Sequence, residues 1–132
     1  LYKNSGLRTF GTLVIIEAMQ EVGVKRLVAV SSMGIGESWH TLPLFTKLIF
    51  KLFMPAARQD HEAQELAVKT SNLNWTIIRP SGLMNDPNVT SYEYGKQIKP
   101  KTSRISRANV ANLILKVIES NSHIREAITI SN

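Results

Sequence analysis

The sequence predicts a doubly wound α/β fold built on a parallel sheet, and three observations carry that expectation. The runs Leu27-Val28-Ala29-Val30 and Trp75-Thr76-Ile77-Ile78 are almost continuously apolar, as strands covered on both faces must be. Each is preceded by a stretch of helical period. Each also opens directly into polar residues, Ser31-Ser32-Met33-Gly34 after the first and Arg79-Pro80-Ser81-Gly82 after the second. In open α/β sheets the carboxyl ends of the strands line the ligand crevice, so two polar exits in series read as one wall of a binding site.

Taken in order, residues 7 to 22 carry Leu7, Phe10, Val14, Ala18 and Val22 on one helical face with Ile15 beside them. Ser5 is placed to cap this helix and Gly23 to close it. A strand at 27 to 31 follows. Residues 42 to 54 are apolar almost all round, relieved by Lys47 and Lys51. That run is too short to span a bilayer as a helix. It serves as a helix packed on the body or at a subunit interface, as a mobile cover over the cleft, or as a shallow membrane contact. Pro55 punctuates it. A helix from 57 to 70 is expected to turn Ala63, Leu66 and Ala67 inward and Asp60, Glu62, Glu65 and Lys69 mostly outward. Ser71 to Asn74 make its turn into the second strand, 75 to 79, which Pro80 ends because it lacks an amide and fixes φ.

Residues 84 to 104 have weak periodicity and read as a long loop. Ser106 is placed to cap a helix at 107 to 119, with Val110, Leu113, Ile114, Val117 and Ile118 at helical spacing, and residues 126 to 130 read as a last strand. The first two strands are expected to pair in parallel, with right-handed crossovers placing helices on both faces.

Composition narrows the function. A chain of 132 residues with 43% hydrophobic content buries one core of moderate size, so one domain is expected. With no cysteine, a disulfide framework and a thiolate nucleophile are excluded, and a cytoplasmic location fits. His40, His61 and His123 lack ligand spacing, so no metal site is expected. Sixteen Lys and Arg against ten Asp and Glu give +6. These charges are scattered, and even the run Lys96, Lys99, Lys101 has no aromatic ladder, so nucleic acid is not an expected partner. The start, Leu1-Tyr2-Lys3-Asn4-Ser5, carries no secretion signal and no initiator methionine, which reads as a piece of something longer.

Four phrases point further: Gly23-Val24-Lys25-Arg26 leading to Val30-Ser31-Ser32; Asp60-His61 with Glu65; Leu73-Asn74-Trp75-Thr76-Ile77-Ile78-Arg79-Pro80; and Ile105-Ser106-Arg107-Ala108-Asn109-Val110-Ala111. In this order and spacing they resemble the atypical short-chain dehydrogenase/reductase group. Within it they are most similar to NmrA-like NAD(P)H-binding proteins and to the biliverdin-IX-beta (flavin) reductase. The resemblance implies a Rossmann-like three-layer α/β sandwich with a parallel sheet. It also implies that the chain is a C-terminal portion supplying only the second half of that fold, its fifth to seventh strands. The glycine-rich turn that cradles pyrophosphate is missing, and Gly34-Ile35-Gly36 lacks its spacing.

The implied cofactor is NADP or NAD, with NADPH preferred. By resemblance Ser32 lies beside the nicotinamide and is the catalytic candidate; its hydroxyl suits a bond to substrate or to the carboxamide, while Ser31 ties the strand end to the neighbouring loop. Met33 completes that exit. Pro80, Ser81, Gly82 and Leu83 form the loop that family members lay over the nicotinamide, where backbone amides are suited to the carboxamide. Gly82 stands where the flavin reductase has a histidine. His61, with Asp60, matches an aspartate-histidine pair on the cofactor side.

The tyrosine and lysine that classical members use for proton transfer are absent between Met33 and the second strand, and Tyr92 and Tyr94 come too late. Hydride transfer to a flavin, quinone or similar conjugated acceptor is therefore the leading expectation for the full-length protein, the chain alone being expected inactive. The alternatives are an NmrA-like nucleotide sensor without turnover and a nucleotide-sugar epimerase or dehydratase. Self-association is expected through Leu42 to Met54 or through the open edge of the strand at 27 to 31.

Overall fold

The computed structural model describes residues 6–42, 44, 45, 47, 48 and 55–132, and they cluster into two compact units. One unit, residues 1–25 and 34–73, holds the helices α1 (Leu7–Glu21) and α2 (Pro55–Thr70) and a short 3-10 helix (Gly36–Thr41). The other, residues 26–33 and 74–132, holds strands β1 (Arg26–Val30), β2 (Asn74–Pro80), β3 (Gly82–Met84), β4 (Glu93–Gly95), β5 (Arg104–Ser106) and β6 (Glu126–Ser131), and helix α3 (Arg107–Glu119).

In the sheet unit the strand order is β1-β2-β6-β4. β1 pairs in parallel with β2, and β2 with β6, as the apolar runs predict. β2 is buried from Trp75 to Pro80. One face of the sheet, with Ile78, Ile128 and Ile130, meets Val110, Leu113 and Val117 of α3. Each fully buried isoleucine contributes about 2 kcal/mol to that core. Ser106 caps α3 as expected, its Oγ accepting from Asn109 N at 3.0 Å. Near the opposite end of the helix, Arg26 donates to Val117 O and Ser122 O, and also to Asn74 O at the start of β2. Ile118, expected inward, is exposed instead.

The loop expected over 84 to 104 contains more order than its periodicity showed. β3 and β5 form a parallel pair, Gly82↔Arg104 to Met84↔Ser106, and β4 runs antiparallel to β6. Three-residue strands are too short to display a period, and the alternation of Tyr92 with Tyr94 around Glu93 was the one available sign of β4.

The helical unit corrects the expected faces. α1 packs on α2, yet Leu7, Phe10, Val14 and Val22 are exposed and Thr12 and Ile16 are buried. On α2, Ala63 and Leu66 are exposed, while Asp60, Glu65 and Val68 are buried. The burial of Asp60 has a physical reason in capping. Gly6 precedes α1 and offers no side chain, so the free amides of Arg8 and Thr9 donate to the Asp60 carboxylate at 3.2 and 3.1 Å, joined by Thr9 Oγ1 at 2.7 Å. Glu65 meets Lys69 at 3.2 Å, and Gln64 Nε2 donates to Thr12 Oγ1 at 3.3 Å. Ser5 as a cap lies outside the described residues, as do 43, 46 and 49–54 of the apolar run from Leu42 to Met54. Of that run, Leu44, Phe45 and Leu48 are exposed.

Candidate functional site

Both polar exits belong to the sheet unit, and the backbone brings them side by side. Ser31 N donates to Ile78 O at 2.8 Å and Met33 N to Pro80 O at 2.9 Å, which carries the β1–β2 ladder past the end of β1. Ser31, Ser32 and Met33 thus lie along the last residues of β2. Ser32 and Met33 are half-buried and Ser31 is buried. The Ser31 hydroxyl was expected to tie the strand end to the loop. It has no hydrogen-bond partner among the described residues; the Ser31 amide makes the tie instead. A buried hydroxyl left unpaired costs about 1–3 kcal/mol, which a ligand group bonded there would return. Ser32 Oγ makes a long bond of 3.3 Å to Met33 O, so this second hydroxyl is weakly held.

The Pro80–Leu83 exit is differently equipped. Pro80 has no amide proton, Ser81 N donates to Ile130 O at 3.1 Å, and Gly82 N donates to Ser103 O at 2.9 Å. Ser81 Oγ shares a 2.9 Å bond with Ser131 Oγ. The amides of Ser81 and Gly82 expected to meet a carboxamide are therefore spent inside the fold. A Cβ at Gly82 would sit 2.9 Å from Ser103 O, a backbone atom, which is why glycine stands there. Leu83 is exposed beyond it. The second exit is a braced edge, whereas at the first Ser31 Oγ is buried without a partner among the described residues and Ser32 Oγ is weakly held.

His61 lies on α2 in the helical unit, and its Nδ1 is buried without a partner among the described residues. Burial and the Arg8 charge push the imidazole below its ordinary pKa, against the opposing pull of Gln64, Asp60 and Glu65. Asp60, its companion in the matched pair, is committed to the start of α1. Burial raises the Asp60 carboxyl, but the bonds from Thr9 and Arg8 outweigh it and hold the group below the usual carboxylate range. Among the described residues no three His, Asp or Glu side chains converge on a metal position, and no helix is long and apolar enough to cross a membrane.

The family model for NAD(P)H-binding proteins matches residues 3–121. The chain belongs to the NAD(P)H-binding family. This corrects the expectation of a C-terminal portion holding only the second half of a Rossmann-like fold: the match begins at residue 3, so the mostly parallel α/β domain takes up nearly the whole chain. Absence of the glycine-rich turn was a poor guide to extent, since the match runs over residues 3–121 without it. An uncharacterized chloroplastic protein of Arabidopsis thaliana is 32% identical over 114 residues, covering 83% of this chain and 39% of its own length. In fold the chain is similar to a short-chain dehydrogenase/reductase from Veillonella parvula in complex with NADP, with a TM-score of 0.81, 22% identity, and coverage of 94% of this chain and 58% of that one. It is also similar to an anaerobilin reductase from Escherichia coli O157:H7, with a TM-score of 0.78, 22% identity, and coverage of 94% and 58%. The chain spans 39 to 52% of the length of the curated relatives it matches.

Proposed function

We propose that the protein is an NAD(P)H-dependent oxidoreductase that passes hydride to a flavin, quinone or similar conjugated small molecule, with NADPH preferred. The observation that carries the reading is the buried, unpartnered Ser31 hydroxyl beside the weakly held Ser32 hydroxyl at the end of β1. Two such groups fit the nicotinamide end of the cofactor, whose amide can both donate to and accept from them. The cofactor supplies the hydride when bound. Ser31 holds the carboxamide, Ser32 orients the reacting edge, and the half-buried Met33 with the exposed Leu83 offers an apolar surface to a planar acceptor.

The sequence from Met33 to Trp75 contains no tyrosine to act as proton donor, which favours an acceptor that takes hydride without one over an alcohol or a nucleotide sugar. The NADP of the Veillonella structure and the reductase named for the Escherichia coli one support the same class. The missing proton donor also suits a nucleotide sensor without turnover. The two readings separate on one assay: protein-dependent oxidation of NADPH with menadione or FMN supports the reductase, and saturable NADPH binding with no oxidation supports the sensor. We also propose self-association along β1, whose outer edge carries no strand among the described residues, or through the run from Leu42 to Met54, where Leu44 and Phe45 are exposed.

A further inference from the structure

The block Ile105 to Ala111 plays no part in the chemistry above, yet it contains Asn109, a fully buried amide. Asn109 Oδ1 accepts from Thr90 N at 2.8 Å, and Nδ2 donates to Thr90 Oγ1 at 3.0 Å and to Asn132 Oδ1 at 3.2 Å. Three of its four hydrogen-bonding positions are thus used in one place. Neighbouring side chains of α3 hold the same segment: Arg107 bonds Asn85, and Asn112 Oδ1 accepts from Tyr92 OH at 2.7 Å. Residues 85 to 92, which leave β3 directly after the Pro80–Leu83 exit, are therefore laid along the first two turns of α3.

The other end of the clip reaches the exit itself. Asn132, bonded to Asn109, follows Ser131, whose Oγ donates to Thr102 O at 2.8 Å and shares its bond with Ser81 Oγ. Thr102 N donates to Asn132 O at 3.0 Å. A single buried side chain on α3 so ties the segment after the exit to the strand end that braces the exit. We propose that Asn109 is a positioning residue for hydride transfer, fixing the Pro80–Leu83 edge through Asn132, Ser131 and Ser81 on one side and Thr90 on the other. The proposal rests on the oxidoreductase reading and adds to it the source of the site's rigidity.

Three variants test it: Asn109→Ala, Asn109→Asp and Thr90→Val, assayed for NADPH affinity and for NADPH oxidation with menadione. Reacting groups displaced by an ångström lose about a hundredfold in rate, so Asn109→Ala is expected to lower kcat by about tenfold or more while NADPH affinity holds within about twofold. Aspartate can accept from both Thr90 donors and from a turned Asn132 amide, so Asn109→Asp should restore kcat to within about threefold. Thr90→Val removes one bond of the clip and should fall between; if Asn109→Ala fails to fold, Thr90→Val decides alone. Wild-type kcat in Asn109→Ala, or in Thr90→Val where that variant decides, overturns the proposal, as does a loss that Asn109→Asp does not relieve. Wild-type protein that binds NADPH yet passes its hydride to none of the acceptors overturns the oxidoreductase reading itself, an outcome distinct from turnover that ignores Asn109.

Discussion

Replacing Asp60 with alanine removes the group that closes the amino end of α1 from another helix. Its carboxylate accepts from two backbone amides and one hydroxyl at 2.7 to 3.2 Å and is buried. Cap substitutions cost about 0.5–2 kcal/mol, and a buried cap serving three donors belongs at the upper end, about 2 kcal/mol. The ion pair with Arg8 at 3.4 Å adds little, since Arg8 is half exposed to water. At about 3–5 °C per kcal/mol, Tm should fall by about 6–10 °C in thermal denaturation followed by circular dichroism. The Asp60→Asn variant keeps one acceptor oxygen and loses the charge, so about half that loss is expected. The pH dependence has a definite sign. Because the folded-state pKa is depressed, the charge contributes stability that is present above the unfolded value and lost as the pH falls through the folded one. The gap between wild type and Asp60→Asn should therefore be full at pH 7 and shrink as the pH drops below about 4. A change in Tm under about 2 °C for Asp60→Ala, well short of the expected shift, or a gap that does not depend on pH, would refute the capping assignment.

Ser32→Ala should lower turnover by about tenfold to a hundredfold, the loss of one hydrogen bond near the reacting ring, while nucleotide affinity in a fluorescence titration changes little. Gly82→Ala should destabilise the fold by about 1–3 kcal/mol in urea, because its Cβ would meet Ser103 O at 2.9 Å and the β3–β5 pair must shift to admit it. Along β1 the amide of Ser31 faces β2, so by alternation those of Val28 and Val30 face the open edge. If that edge pairs with another copy, Val30→Lys should lower the mass seen by light scattering, and an unchanged mass would remove β1 as the contact.

How far the residues alone revealed these features varies with the kind of signal. β1 and β2 were legible because short apolar runs that end in turn residues read as buried strands, β6 because its isoleucines alternate, and α3 because Ser106 and its stripe agree. The exits were legible for the same reason, since Pro80 and the two serines mark where an apolar run stops. What remained hidden depends on partners distant in sequence. Periodicity in α1 identifies an apolar stripe and says nothing of what covers it, so the exposed faces of Phe10 and Val14 were misread. Asp60 looked like an outward carboxylate because its donors, Arg8 and Thr9, stand more than fifty positions away. Asn109 gave no sign of its burial for a similar reason, as its partners Thr90 and Asn132 stand 19 and 23 positions away. Ser31 was singled out for a hydroxyl tie between the strand end and the loop; its backbone amide makes that tie, because the ladder continues past β1, and the hydroxyl has no partner among the described residues.

The most direct measurement follows NADPH by its absorbance with menadione or FMN present, beside a titration of NADPH alone, for wild type and Ser32→Ala. Protein-dependent, saturable oxidation that falls at least about tenfold in Ser32→Ala, with nucleotide affinity preserved, is the predicted result. Saturable NADPH binding with no oxidation by any planar acceptor would contradict it and leave a nucleotide sensor as the reading of the site.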